Sequence, residues 1–385
     1  MERIKIAERP HWRELAKELG FVYHTFDGEP YWDETAYYRF NLRQIEQDLE
    51  DPTEELHQMA LSLVPDILAS EQKLIALDVP EYCWQALKDS WDRRDPHLYG
   101  RFDLCYNGKG PAKLLELNYD TPTSIYESGF FQWIWLEDMV RTGLLPQSVD
   151  QFNSLQEKLE LALLSLPHQK PLYFSCIDDR FEDRGNVDYL MDIAMQAGVE
   201  SRFIDISAIG LADGQLIDMA GNPIESLFKL YPWEFMVRED FGPSLLTSQT
   251  RFIEPPWKML LSNKGLLPLL WQKFPGHPNL LEAHFETKEQ GSTVGNGWVR
   301  KPLYSREGAN ISLTDFNGDT LTEPGPYTDS GFIRQALAPL PCFDGNFTLI
   351  GSWVVGDSAA GIGLREDMSL ITKDSSRFLP HIILD

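Results

Sequence analysis

Apolar residues recur along this chain at two spacings, one near 3.6 residues and one of two, and the change between them marks its elements. Trp12 to Gly20 reads as a short helix closed by a C-cap glycine. From Asn41 to Val64 the positions Leu42, Ile45, Leu49, Leu56, Met59 and Leu63 keep a helical period, which Asp51-Pro52-Thr53 is expected to divide into two helices. The strings around Arg101-Phe102-Asp103 and Glu116-Leu117-Asn118 alternate with period two and flank the turn-forming Asn107-Gly108-Lys109-Gly110. A helix from about Ser124 follows, rich in Phe130, Phe131, Trp133, Trp135 and Leu136, and its aromatic stripe reads as core.

Pro171 to Ile177 is a short apolar run that leads, through the charged stretch Asp178 to Arg184, into an amphipathic helix ending at Gly198. Ser201 to Asp205 and Ser226 to Tyr231 read as further strands, so this region has βαβ syntax and predicts a small parallel sheet. From about Arg251 the pattern becomes strands and short helices with glycine-rich turns, ending in a long β segment from Phe347 to Leu370. No internal repeat is visible, and no linker is long enough to separate independent domains.

The hairpin carries candidate chemistry. Alternation puts Phe102, Leu104, Leu115 and Leu117 on one face and Arg101, Asp103, Glu116 and Asn118 on the other. An even loop, Gly108-Lys109 or Asn107 to Gly110, pairs odd positions with even ones and brings the four polar residues together; an odd loop separates them. Two carboxylates and an amide carbonyl suit a hard cation such as Mg²⁺, leaving Arg101 to hold a phosphate or a carboxylate. The competing reading is an exposed sheet face with an ordinary salt bridge.

Chain-level quantities narrow the class. With 385 residues, 43% hydrophobic and 12% aromatic, the chain folds around large cores and is not disordered. The opening Met1-Glu2-Arg3-Ile4-Lys5 is expected to lead into a charged helix, and no window reaches the roughly 18 apolar residues of a membrane span, so the expected compartment is the cytoplasm. Cys83, Cys105, Cys176 and Cys342 lack C-x-x-C spacing and read as buried or free thiols. A net charge of -25 disfavours nucleic acid and anionic membranes as partners and suits a cation such as a polyamine, although many acidic proteins are so merely for solubility.

Three more clusters stand out. Asn263-Lys264-Gly265 places a lysine at the entrance to the apolar helix Leu266 to Trp271, Val299-Arg300-Lys301-Pro302 looks like a strand end with a lysine directed at an anion, and Ser305 to Asn310 is a small-residue loop holding Arg306. With few anchoring side chains, that loop is expected to order over phosphates only when nucleotide binds. The common phosphate-loop, dinucleotide and nucleophile-elbow motifs are absent. Scattered lysines on two strands, a glycine-rich flap and separate acidic metal ligands are the parts of an ATP-grasp enzyme.

The order of Arg101-Phe102-Asp103, Glu116 to Thr123, Lys229 to Glu234, Asn263-Lys264, Lys301-Pro302, Arg306 and Leu364-Arg365-Glu366-Asp367 resembles the synthetase domain of the glutathionylspermidine synthase family, and most closely its stand-alone relatives. Nothing resembles the amidase domain of the bifunctional members. The resemblance implies a mixed α+β and α/β architecture, an ATP-grasp fold with a preceding pre-ATP-grasp-like βαβ region. The expected divisions are a mainly helical 1–95, a metal- and ATP-binding hairpin with its aromatic helix at 96–165, the βαβ region at 166–250, and a nucleotide-binding region at 251–385 with a lid near 303–312.

By the same resemblance the cofactors are ATP and Mg²⁺. Asp103, Glu116 and Asn118 would hold the metal, Arg101 and Arg306 would be catalytic, and Arg101, Asp103, Lys264, Lys301, Leu364 and Arg365 would bind nucleotide, with Arg334-Gln335-Ala336-Leu337 as the adenine hinge. Thr121 and Thr123 stand where the family has two serines that touch a thiol peptide, which suggests an acid other than glutathione; Glu182, Asp183 and Glu234 complete the candidate substrate residues. The implied activity is an ATP-dependent acid-amine ligase that joins a small carboxylate to an amine, possible alternatives being a non-catalytic nucleotide- or polyamine-binding protein and an ATP-dependent phosphotransferase.

Overall fold

The computed structural model describes residues 1–26, 28–166, 171–287, 291, 293–327, 330–373 and 375–384. Its centre is an antiparallel sheet in which strands run in the order Arg377–Leu379, Ser358–Asp367, Asn346–Val355, Tyr99–Cys105 and Lys113–Asn118. Every residue of Tyr99–Cys105 is buried, because both faces of this strand are covered. Phe102, Leu104 and Leu117 join the larger hydrophobic core with Leu56, Ala60 and Leu63 of the helix Asp51–Leu68. Arg101 and Asp103 line a cavity on the opposite face.

The three predicted strands form a parallel sheet, to which Arg251–Ile253 adds a fourth that the βαβ reading did not include, in the order Arg251–Ile253, Ser226–Lys229, Leu172–Cys176, Ser201–Asp205. The helix Phe181–Gln196 supplies one crossover, and Gly198, at φ 81°, follows its end. An antiparallel sheet, Ala283–Phe285, Phe332–Ala336, Trp298–Pro302, Ser312–Thr314 and Thr320–Thr322, forms another wall. The opening residues differ from expectation: Glu2–Lys5 is a strand, paired with Ala36–Phe40, which in turn pairs with His381–Ile383. The two ends of the described chain thus share one sheet, and the central sheet likewise joins residues before 120 to residues after 340.

Pro52 does not separate two helices. The chain stays helical from Leu42 to Leu68, with a π-helical segment at Glu46–Glu50 immediately before the proline. Pro52 lies inside this continuous run, where it cannot donate to the helical ladder, and the π-helical segment directly before it is where the regular α pattern is interrupted. Of the predicted apolar stripe only Leu42 is exposed. In the aromatic helix Phe131, Trp135 and Leu136 are core, whereas Trp133 is exposed. Among the cysteines Cys83, Cys105 and Cys176 are buried and Cys342 is exposed, and all four are free thiols. Among the described residues no helix is long and apolar enough to cross a membrane.

Candidate active site

The hairpin brings its four polar residues to one face by a route that the loop argument did not foresee. Near the turn Cys105 pairs with Lys113, leaving residues 106–112 between them, an odd loop. Such a loop alone would put Arg101 and Glu116 on opposite faces. A register shift between Asp103 and Leu104 restores the match: Leu104 pairs with Leu114, while Asp103 pairs with Glu116 and Arg101 with Asn118. The bulged residue is Leu115, which faces the cavity, and Leu114 takes the core position expected of it.

The site's charges are held by short contacts. Arg101 Nε donates to Asp103 Oδ1 at 2.8 Å, and its Nη1 donates to the carbonyl of Thr123 at 2.8 Å. The guanidinium lies over Gly351, where an added Cβ would stand 2.9 Å from Arg101 Cδ. Lys264 Nζ donates to the carbonyl of Ser305 at 2.8 Å and lies 3.3 Å from Glu116 Oε2. Lys301 Nζ donates to the Leu115 carbonyl and to Gln335 Oε1, both at 2.8 Å.

Facing carboxylates acquire opposite characters here. Burial pushes the Asp103 carboxyl up, aided by the charge of Glu116 and opposed by Arg101. Burial acts the same way on Glu116, but Lys264, Lys301 and Arg101 outweigh it and hold that group down at about 2. Lys301, desolvated, is pushed down to about 8 despite Glu116.

A cavity of about 320 Å³ extends from these residues, a volume within the range of small-molecule sites. One part is apolar, where Val299, Leu313, Leu337, Leu340, Leu349 and Ile371 converge from two sheets. Another part carries Thr121, Thr123, Arg180, Glu182, Asp183, Tyr231 and Phe235. Burial beside Glu182 pushes Asp183 up to about 6. The loop after Lys301 crosses this side: Arg306 Nη1 donates to Thr121 Oγ1 and Nη2 to Glu234 Oε1, each at 2.9 Å. Gly308, at φ 72°, fits against Ile371 and Thr372 so closely that a Cβ would stand 2.6 Å from Ile371 Cγ2.

The structure therefore gathers Arg101, Asp103, Glu116, Asn118, Thr121, Thr123, Glu182, Asp183, Lys301, Arg306, Gln335, Ala336, Leu337 and Arg365 around one cavity, with Lys264 and Glu234 in contact with its walls. Two sequence candidates lie elsewhere. Arg334 is on the other face of its strand from Gln335 and pairs with Glu286 at 2.8 Å, beside Arg300. Leu364 is wholly buried in the hydrophobic core. Sequence reasoning overlooked Arg180, Tyr231 and Phe235, and also the buried pair Asp120 and Lys229, in which Asp120 Oδ2 accepts from the backbone N–H of Trp233 at 2.7 Å. That pair fixes the segment after Asn118 against the parallel sheet.

Asp103, Glu116 and Asn118 form an all-oxygen donor set if the Asn118 amide turns its carbonyl inward, and its Nδ2 is buried without a hydrogen-bond partner. The residues thus fit a hard divalent cation, with cations placed beside it for anionic oxygens.

The mixed α+β fold of several sheets has a counterpart among solved structures. The glutathione synthetase-like effector GSS30 from Globodera pallida superposes with a TM-score of 0.55, covering 98% of both chains at 12% identity. The sequence pattern of the family described as "Glutathionylspermidine synthase preATP-grasp" matches residues 3–384, and the chain belongs to that family. It is 40% identical over 388 residues to the "Putative acid--amine ligase" of Haemophilus influenzae, covering 97% of each chain. It is 28% identical over 400 residues to the bifunctional glutathionylspermidine synthetase/amidase of Escherichia coli (strain K12), covering 97% of this chain and 63% of that one. Trypanothione synthetase of Crithidia fasciculata is 26% identical over 369 residues, covering 89% of this chain and 55% of that one. The chain therefore spans less than two thirds of these last two relatives.

Proposed function

We propose that this protein is an ATP- and Mg²⁺-dependent acid-amine ligase that joins a small carboxylate to an amine through an acyl phosphate. The observation that carries the reading is the convergence, in one cavity, of Asp103, Glu116 and Asn118 with Arg101, Lys301 and Arg306. The domain reading follows: the sheet containing Lys301 and Gln335, together with the edge of the central sheet, acts as an ATP-grasp nucleotide site, and the parallel sheet acts as the pre-ATP-grasp region. Membership of a family whose relatives are named as ligases and synthetases supports this assignment.

When bound, Mg²⁺ supplies neutralisation of the phosphate oxygens. The adenine sits in the apolar part of the cavity, against Val299, Leu313, Leu337 and Leu340. Lys301 and Lys264 hold phosphates, and Lys264 exchanges Glu116 for that contact. Arg101 and Arg306 stabilise the charge that develops as a substrate carboxylate attacks the terminal phosphate. Thr121 and Thr123 border the acid, and Glu182 and Asp183 attract the cationic amine. The added methyl groups of the two threonines favour an acid other than glutathione, and a polyamine is the best-matched nucleophile. The lid excludes water that would hydrolyse the acyl phosphate.

Incubation with ATP, Mg²⁺ and crossed pools of small peptides and polyamines tests the reading. Phosphate release that requires acid and amine together, with a product lighter than its two precursors by one water, is expected. A stable phosphorylated product would assign a phosphotransferase instead, and nucleotide binding without any ADP would leave a binding protein.

A further inference from the structure

On the other side of the central sheet from the cavity, three side chains from distant parts of the chain meet. His57 is wholly buried in the helix Asp51–Leu68, His97 lies just before the strand Tyr99–Cys105, and Asp357 is in the turn between Asn346–Val355 and Ser358–Asp367. Asp357 Oδ1 is 3.0 Å from His57 Nε2 and 3.4 Å from His97 Nε2, and one donor atom from each of the three residues lies within 4.8 Å of the others. None of the three lines the cavity.

Their placement is fixed by contacts that involve none of the three side chains. The Gly356 N–H donates to the Leu98 carbonyl at 2.8 Å, tying the turn to the segment that bears His97. The Ala359 N–H donates to Glu54 Oε1 at 3.0 Å, tying the same hairpin to the helix that bears His57. Gly356 has φ 57°, which keeps the turn tight. On the far side of His57, Nδ1 is 2.6 Å from Tyr119 Oη, an outer contact of the kind that orients a metal-bound imidazole.

Hydrogen bonding alone leaves this cluster incomplete. At 3.4 Å the approach of His97 Nε2 to Asp357 is longer than an ordinary N–H···O bond. A group wedged between two imidazoles and a carboxylate would give His97 the strong contact that the protein does not supply. Zinc bonds of about 2.0–2.2 Å in a tetrahedron set neighbouring ligand atoms roughly 3.3–3.5 Å apart. Small side-chain movements reach that spacing from the observed one. The Asp357 side chain is 67% exposed, which leaves water access to a fourth position.

We propose that His57 Nε2, His97 Nε2 and the Asp357 carboxylate bind a first-row divalent transition ion, with Zn²⁺ the best match. Two imidazoles and one carboxylate select such an ion, whereas the oxygen donors of Asp103, Glu116 and Asn118 select Mg²⁺. The ion would pin the 355–358 turn to the helix and to the segment entering Tyr99–Cys105.

Cobalt separates the two sites because a tetrahedral nitrogen-containing site absorbs visible light far more strongly than an octahedral oxygen site. Full-length protein stripped with chelator is titrated with Co²⁺ in excess Mg²⁺, and zinc bound after dialysis is counted by mass spectrometry. One strongly absorbing Co²⁺ per chain is expected, with affinity reduced at least on the order of tenfold in His97→Ala and in Asp357→Asn, and unchanged in Asp103→Asn. His97 and Asp357 are not fully buried, so these variants keep the core intact, and circular dichroism checks them. Absence of the band from the wild-type protein, its persistence unchanged in both variants, or its loss in Asp103→Asn would overturn the proposal.

Discussion

Arg306 Nη2 and Glu234 Oε1 stand 2.9 Å apart, joining the glycine-containing loop after Lys301 to the short helix Trp233–Met236 beside the parallel sheet. The Arg306 side chain is 33% exposed and its Nε is buried without a partner, so the guanidinium is only partly committed to its present contacts. A transferred phosphate would compete for it with Glu234 and Thr121.

That competition gives the first prediction. Arg306→Ala lowers kcat and kcat/KM together by a factor on the order of 10² to 10⁴, with ATP affinity little changed, if the arginine acts mainly in the transition state. Glu234→Gln frees the guanidinium and leaves far more activity than Arg306→Ala. Calorimetry with ATP and phosphate release, run on the same preparations, check both. Wild-type turnover in Arg306→Ala removes it from the mechanism, and a loss of affinity matching the loss of turnover makes it a ground-state ligand.

Asp103→Asn and Glu116→Gln are each expected to abolish Mg²⁺-dependent ATP turnover, since each removes a hard-cation ligand. Their stabilities should differ. Glu116→Gln leaves Lys264 and Lys301 buried without their carboxylate and destabilises by on the order of 2 kcal/mol, whereas Asp103→Asn keeps a hydrogen-bond acceptor for Arg101. Urea unfolding beside turnover at limiting Mg²⁺ measures the two effects separately. Undiminished turnover in either variant would remove that residue from the metal site.

Gly351→Ala probes the position of Arg101 without touching a charged group. The new methyl would stand 2.9 Å from Arg101 Cδ, so the guanidinium must shift by a few tenths of an ångström or more, and a displacement near 1 Å in a positioned group costs about 10²-fold in rate. The expected variant is folded, binds ATP and turns over at least tenfold more slowly. Unaltered kcat would show that Arg101 tolerates displacement and has no positioned role.

These residues also show how far the sequence could be read. Period-two alternation identified the polar face of the hairpin, but the parity of its loop did not; the loop is odd, and the bulge at Leu115 corrects the register. A bulge leaves no simple mark on local composition. The same alternation, applied inside Arg334 to Leu337, separates Gln335, which contacts Lys301, from Arg334, which pairs with Glu286. Taking that segment whole, by resemblance, set the period aside. Asp120 and Lys229 meet from 109 positions apart, and nothing local to either marks the other as its partner. The βαβ region was legible because its central strand, Leu172–Cys176, is a short apolar run buried on both faces and is followed by a helix of ordinary length, whereas Ser201–Asp205 at the sheet edge is mostly half-buried.

His381 provides a test of the fold through pH. It opens the last strand, His381–Ile383, and is wholly buried; its Nδ1 lies 2.9 Å from Gln132 Oε1 of the aromatic helix, and its Nε2 accepts the backbone N–H of Phe152 at 3.1 Å. The neutral ring with its proton on Nδ1 satisfies both partners, and a second proton on Nε2 would face a donor. Burial lowers this histidine from 6.5 to about 3. Between those values the unfolded chain binds the extra proton and the folded chain does not, so the contribution to stability is full above pH 6.5 and is lost as pH falls toward 3. The loss amounts to about 2 kcal/mol by pH 5. His381→Gln retains an acceptor and a donor but cannot titrate, and other acid-sensitive groups act equally on both proteins. Urea unfolding of the pair from about pH 7.5, above that window, to about pH 4.5, well inside it, should show the wild-type protein losing its advantage as pH falls. Parallel stability curves would mean that His381 is charged in the folded protein or already exchanges with solvent there.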